Sequence, residues 1–188
     1  MDREIPRWSV GVDPRADRVD PHGAADERTA LAEWLDWHRR TLIAKVVGLD
    51  DEQARRRAVP PSDLNLLGLL RHMVEVERGW FRRCFAGLDV SPLYYGSAHP
   101  TGDPDGDMHP GESDTVQEAL AAWEQEVAFA RAAVDAASSF DDLSATRRDR
   151  SPEQPNLRWI MVHMIEEYAR HNGHADLLRE CIDGSVGD

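Results

Sequence analysis

The chain has 188 residues, with 22 Lys and Arg against 35 Asp and Glu, a formal charge of −13. That length suits one domain with a single sizeable core, and 41% hydrophobic with 30% charged residues is the balance of a soluble globular protein, not a disordered one. The acidic excess argues against a phosphate-backbone binder, and no apolar run nears the roughly 20 residues of a membrane span, so neither nucleic acid nor membrane is expected as a partner.

The opening stretch MDREIPRWSVGVDPRADRVD has no apolar core of the kind a secretory signal carries. Two cysteines, Cys84 and Cys181, are too few for a disulfide framework or a thiolate zinc site. Both are expected to be buried as small apolar residues, and the expected location is cytoplasmic. Residues 1–25 read as a polar N-terminal arm, with Trp8 its one anchor, ahead of a helical domain over 26–188. From Asp26, Leu31, Trp34, Leu35, Leu42, Val46 and Val47 recur at helical spacing up to Gly48. Pro60 and Pro61 then interrupt, and Ser62 or Asp63 is the candidate cap of a second helix over about 64–86. Its buried line is Leu66, Leu69, Leu70, Met73, Val76, Trp80 and Phe81.

Residues 87–112 form a connection too long for a simple turn, with only Val90 to Tyr95 able to pair as a short ribbon. A long crossover of this kind is what a four-helix bundle with non-adjacent middle helices requires. Thr115-x-x-Glu118 predicts a capping box opening a third helix, through Leu120, Trp123, Val127, Ala130 and Val134 to about Ala137. A fourth spans about 157–181, closed by Gly184. The expected class is all-α, a four-helix bundle with a long crossover between helices two and three.

In helix four, HMIEEYARHNGHADLL places His163, Glu167 and His171 at successive i, i+4 positions, with His174 three further on. Side chains four apart share a helix face, so two of them can grip one ion. His163 and His171 are roughly 12 Å apart along the axis, too far for one ion to take all three. The pair is therefore His163 with Glu167, or Glu167 with His171, completed by His72 from helix two. Two imidazoles and a carboxylate suit a first-row divalent ion and leave positions open for water or substrate.

The segment LAEWLDWHRRTLIAKVVGLDDEQARRRAVPPSDLNLLGLLRHMVEVERGWFRR, with WIMVHMIEEYARHNGHADLLRE at the far end, closely resembles the DinB-like superfamily over residues 28 to 182. Within it, the match is to the "mini-circle" branch of actinobacteria, related to mycothiol-dependent maleylpyruvate isomerase and thiol S-transferases. The resemblance implies a bundle with a divalent metal at one end, held by a His of helix two and two helix-four residues four apart, ahead of an x-Gly pair. Carried onto this sequence, those ligands are His72, Glu167 and His171, with Asn172-Gly173 following. Zn²⁺ is the implied ion, with Ni, Mn or Fe as alternatives. The family more typically has Gln where this chain has His174.

What the resemblance implies in function is thiol chemistry: a mycothiol-type thiol, deprotonated at the metal, attacks a small electrophile in S-transfer or isomerisation. A non-catalytic bundle with a structural metal or an interaction role, and a metal-assisted hydrolase, are the competing readings. Either a monomer or a homodimer is compatible with the sequence. Glu166, His174 and Glu75 are unranked as general base, with Glu166 read as solvated. Asp103-Pro-Asp105-Gly-Asp107 fails as a calcium loop at its sixth and twelfth positions, Met108 and Asp114, and reads as a solvated acidic loop bordering the mouth of the bundle. Arg55-Arg56-Arg57 reads as surface. The tryptophans are mostly at core spacing, with Trp37-His38 as candidate cavity lining.

Overall fold

The computed structural model describes residues 18–96, 102–147 and 152–186. Five α-helices follow one another: α1 (Glu27–Val46), α2 (Asp51–Arg55), α3 (Leu66–Glu77), α4 (Val116–Ala136) and α5 (Leu157–Asp183), with a π-helical segment, Arg78–Phe85, running straight on from α3. Local chemistry starts each long helix. Asp26 caps α1 by accepting from the Thr29 N–H, and Asn156 caps α5 by accepting from Trp159. Thr115 caps α4 from the Glu118 N–H, but its hydroxyl donates to the Glu118 carboxylate, so the reciprocal half of the expected box is not made. Asn65, rather than Ser62 or Asp63, caps α3. Gly184, at φ 78°, ends α5 in the left-handed region that glycine alone occupies without strain.

Contacts along the helices give their directions. Arg158 at the start of α5 meets Glu27 at the start of α1, and Arg179 near its end donates to the Lys45 carbonyl, so these two run parallel. His72 faces His171 while Trp80 faces Trp159, so α3 runs against α5. Arg71 reaches Asp114 just before α4, and Arg82 reaches Glu126, so α3 and α4 run the same way. The bundle is up-down-down-up, and the parallel middle pair accounts for the long crossover.

The core is lined by Leu35, Leu42 and Val46 of α1, the whole expected line of α3 and its π continuation, Trp123, Val127, Ala130 and Val134 of α4, and Ile160, Met164 and Tyr168 of α5. One polar ladder crosses it. Arg39 of α1 donates through Nε and Nη2 to the two oxygens of Glu77 of α3, each at 2.8 Å. The Tyr168 hydroxyl of α5 donates to Glu77 at 2.9 Å and accepts from the Trp123 indole of α4 at 2.8 Å. Burial works against the Arg39 charge, but Glu77 outweighs it and holds the guanidinium well above its ordinary pKa. All four long helices are thereby tied at one level, with the buried charge paired and hydrogen-bonded as a low-dielectric interior requires.

Several sequence expectations are corrected. Trp34 is 46% exposed, because the buried stripe of α1 runs through Leu35, Arg39, Leu42 and Val46 and leaves the indole to pack on Trp37 and His38. Cys84 is buried, but Cys181 is exposed on the outer face of α5. Residues 51–55 form a short helix opened by an Asp50–Gln53 capping box. The second helix does not stay α to its end: the Ala86 N–H bonds to the carbonyl of Phe81, five residues back. Among the described residues no ribbon forms at Val90 to Tyr95, since the N–H groups of Leu93 and Tyr94 both go to the Glu75 carboxylate. Among the described residues the one β-bridge joins Leu143 and Asn156, elsewhere in the chain. Trp8 lies outside the described residues. The end of the arm lies along α1, with Arg18 donating to Thr41 and its guanidinium 4.7 Å from the Trp37 ring.

Candidate metal centre

His72 projects from the middle of α3 and Glu167 and His171 from successive turns of α5, next to Tyr168, whose hydroxyl ties α5 to Glu77 of α3. The rings of His72 and His171 lie with centroids 4.8 Å apart, edge to face. One ligand atom from each of His72, Glu167 and His171 lies within 4.8 Å of the other two. Donors on one divalent ion, each about 2.0–2.2 Å from it, stand at most about 4.4 Å apart, so small side-chain rotations would suffice for the three groups to share one ion. The donor set fits such a cation.

Electrostatics prepares the acid. The hydrogen bond from His171, with Oε2 3.5 Å from Nε2, holds the Glu167 carboxyl below its ordinary pKa; burial opposes this, and the nearby His163 and His72 add to it. Glu167 is therefore an anion at neutral pH. His174, whose Nδ1 is 3.4 Å from that of His171, is pushed below the ordinary histidine pKa by burial and by the neighbouring His171 and Arg170.

His163 takes a different place. Its Nε2 is 3.3 Å from the other Glu167 oxygen, Oε1, and its ring stacks on Trp159 at 5.0 Å and meets Trp80 edge-on at 4.8 Å. With Glu166 and Glu167 it forms a second group of suitable spacing, but Glu166 is exposed and ion-paired to Arg170. The solvated reading of Glu166 agrees with that exposure.

The residue that sequence reasoning missed is Asp107. It belongs to the acidic loop read as solvated, yet it is buried, and its Oδ2 accepts from the His72 Nδ1–H at 2.8 Å. A carboxylate only accepts, so that ring nitrogen carries the proton, and it is Nε2 that a neutral ring offers as a ligand. The loop is drawn in by α3. Arg71 grips the Asp114 carboxylate, donates to the Gly106 carbonyl at 2.9 Å and lies 4.4 Å over the Tyr94 ring. Asn65 donates to the Met108 carbonyl, which comes so close to Gly68 that a Cβ there would sit 2.6 Å from it. A cavity of about 260 Å³ opens beside His72, walled by Glu75, Tyr95, Asp105 and Asp107. Glu75 is buried and pins the crossover from beneath; burial raises its pKa, against the pull of the Tyr94 and Leu93 N–H groups. The only sequence signal for Asp107 was a carboxylate in a loop long enough to fold back.

An up-down-down-up helical bundle with two histidines and a carboxylate gathered between α3 and α5 defines the class of protein. The sequence matches the model of the mycothiol-S-transferase family over residues 30–184. The chain belongs to that family, one of the DinB-like group. A solved structure, a conserved protein of locus from Enterococcus faecalis, is similar in fold: TM-score 0.57 and 15% identity, covering 86% of this chain and all of that one. No protein curated for function matches the sequence.

Proposed function

We propose that the chain is a metal-dependent S-transferase that joins mycothiol, or a thiol of that type, to a small electrophile. The observation that carries this reading is the convergence of His72, Glu167 and His171 beside an open cavity, in a chain of the mycothiol-S-transferase family. Those three residues would hold the ion, with zinc favoured by a set of two imidazoles and one carboxylate. A cation bound there supplies Lewis acidity that lowers the thiol pKa, so that the sulfur is a nucleophile at neutral pH. Asp107 orients His72 and keeps its proton on Nδ1. Glu167, already ionised, brings the negative charge that offsets the cation. Glu75 and Arg71 hold the crossover in place, and with it the wall of the cavity. Two cysteines that form no disulfide agree with a reducing cytoplasm, where such thiols work.

Elemental analysis of the purified protein, followed by a mycothiol-consumption assay with a model electrophile before and after chelation, tests the reading. One divalent ion per chain is expected, lost in Glu167→Ala, with thiol consumption that disappears on chelation and returns with added metal. Metal-free protein that consumes thiol at the full rate would overturn metal dependence. Turnover that ignores mycothiol would replace S-transfer with hydrolysis.

A further inference from the structure

Trp159, His163, Glu167 and His171 stand at i, i+4 spacing on α5, one continuous stripe facing α3 and its π segment. The upper half of that stripe is aromatic. Trp80 lies 5.3 Å from Trp159, and His163 touches both rings. Trp159 is nevertheless 50% exposed. It is a large flat apolar face held by two neighbouring rings and presented to solvent, which leaves little side-chain freedom to be lost when something lies against it.

Beside it is a cavity of about 380 Å³, walled by Trp80, Trp159, Leu143 and Pro155, with Asn156 and Glu153 at its edge. Backbone hydrogen bonds brace the far wall: Ser144 N–H to the Pro155 carbonyl at 2.8 Å and Leu157 N–H to the Asp142 carbonyl at 2.9 Å. Leu143, 64% exposed, offers its side chain across from the indole. Two indoles, a leucine and a proline form its walls, and among the described residues no cationic side chain lines it, so its chemistry suits a flat apolar body. The cavity at the other end of the site, with Glu75, Tyr95, Asp105 and Asp107, is the polar one.

We propose that the Trp80–Trp159 cavity is the subsite for the electrophile and takes its planar, apolar portion, while the polar cavity beside His72 is left to the thiol. This rests on the S-transferase reading and adds the substrate class. His163, stacked on Trp159 and 3.3 Å from Glu167, lies between the cavity wall and the candidate metal centre on the same face of α5. The eight residues from Trp159 to Glu167 rise roughly 12 Å, so the favoured electrophile is elongated, with its aromatic or other flat apolar part about two helical turns from its reacting carbon.

The test uses the full chain as purified and 2-naphthol, a neutral and unreactive aromatic, in isothermal titration. Saturable binding at one site per chain is expected, weakened at least tenfold in Trp159→Ala and in Leu143→Asp, two changes at exposed positions on opposite walls. Metal content should stay as in the parent, and mycothiol should not displace the naphthol. In the kinetic arm, Trp159→Ala should raise KM for a naphthyl-bearing electrophile tenfold or more and leave KM for the thiol within twofold. Absence of saturable binding, binding by both variants as tight as by the parent, or displacement by mycothiol would each overturn the subsite. A protein that binds naphthol as expected yet transfers thiol to no electrophile retires the S-transferase reading and leaves the aromatic cavity standing.

Discussion

His72 and Asp107 lie 35 residues apart in the chain and 2.8 Å apart in space, the imidazole Nδ1–H of α3 meeting a carboxylate carried on the crossover. Carboxylates placed behind metal-binding histidines fix the tautomer and raise ligand basicity, and losing one typically weakens metal affinity about 10–100-fold. Asp107→Asn should lower zinc affinity in that range, read by competition with a chromophoric chelator, with the helical circular dichroism unchanged. Unaltered affinity would mean that Asp107 merely fastens the loop.

Tyr168 links three helices through its hydroxyl. In Tyr168→Phe the ring stays, but the buried Trp123 N–H loses its acceptor and Glu77 loses a donor. A buried donor left unpaired costs about 1–3 kcal/mol, so urea unfolding should show a loss of that size. The same change lets α5 rotate more freely beneath Glu167 and His171. Metal affinity should therefore fall as well, which a purely local loss of stability would not produce.

Glu75 gives a pH dependence with a defined sign. Burial raises its folded pKa above the ordinary 4.5, so between these two values the folded state holds a proton that the unfolded chain has released. Stability then falls as pH rises through that window, and above the folded pKa the full cost of a buried carboxylate remains. Glu75→Gln keeps an oxygen to accept from the Leu93 and Tyr94 N–H groups and removes the charge. Comparing the two proteins by denaturant unfolding from pH 4.5 upward should show the variant gaining on the parent as pH rises. Parallel curves would place Glu75 in an environment where ionisation costs nothing.

The helices and the α5 part of the candidate site were legible because their signals are local. Asp26, Thr115 and Gly184 act on N–H and C=O groups within one turn, and helix geometry alone makes His163 and Glu167, and Glu167 and His171, neighbours, the choice between the two pairs coming from the family resemblance. Asp107 was not legible. A carboxylate in a Gly- and Pro-rich loop reads as solvated until Arg71, Asn65 and Glu75 are seen taking that loop's carbonyls and N–H groups from beneath. The exposure of Trp34, Trp159 and Cys181 was hidden for a related reason, since periodicity marks a helical face and only the neighbouring helix decides whether that face is covered. The π segment carries no compositional mark at all.

The helix that ends at Phe85 is 20 residues long, counting α3 and its π continuation, so the chain must travel back roughly 30 Å before α4 can start alongside it. Fully stretched, about nine or ten residues cover that distance. The span between Phe85 and Val116 holds 30 residues. Some two-thirds of this return path is slack with respect to topology, and it is from the slack that a roof over His72 is made. Shortening it toward the bare minimum would leave a bundle that still assembles, but with its imidazole unsupported and its mouth unwalled.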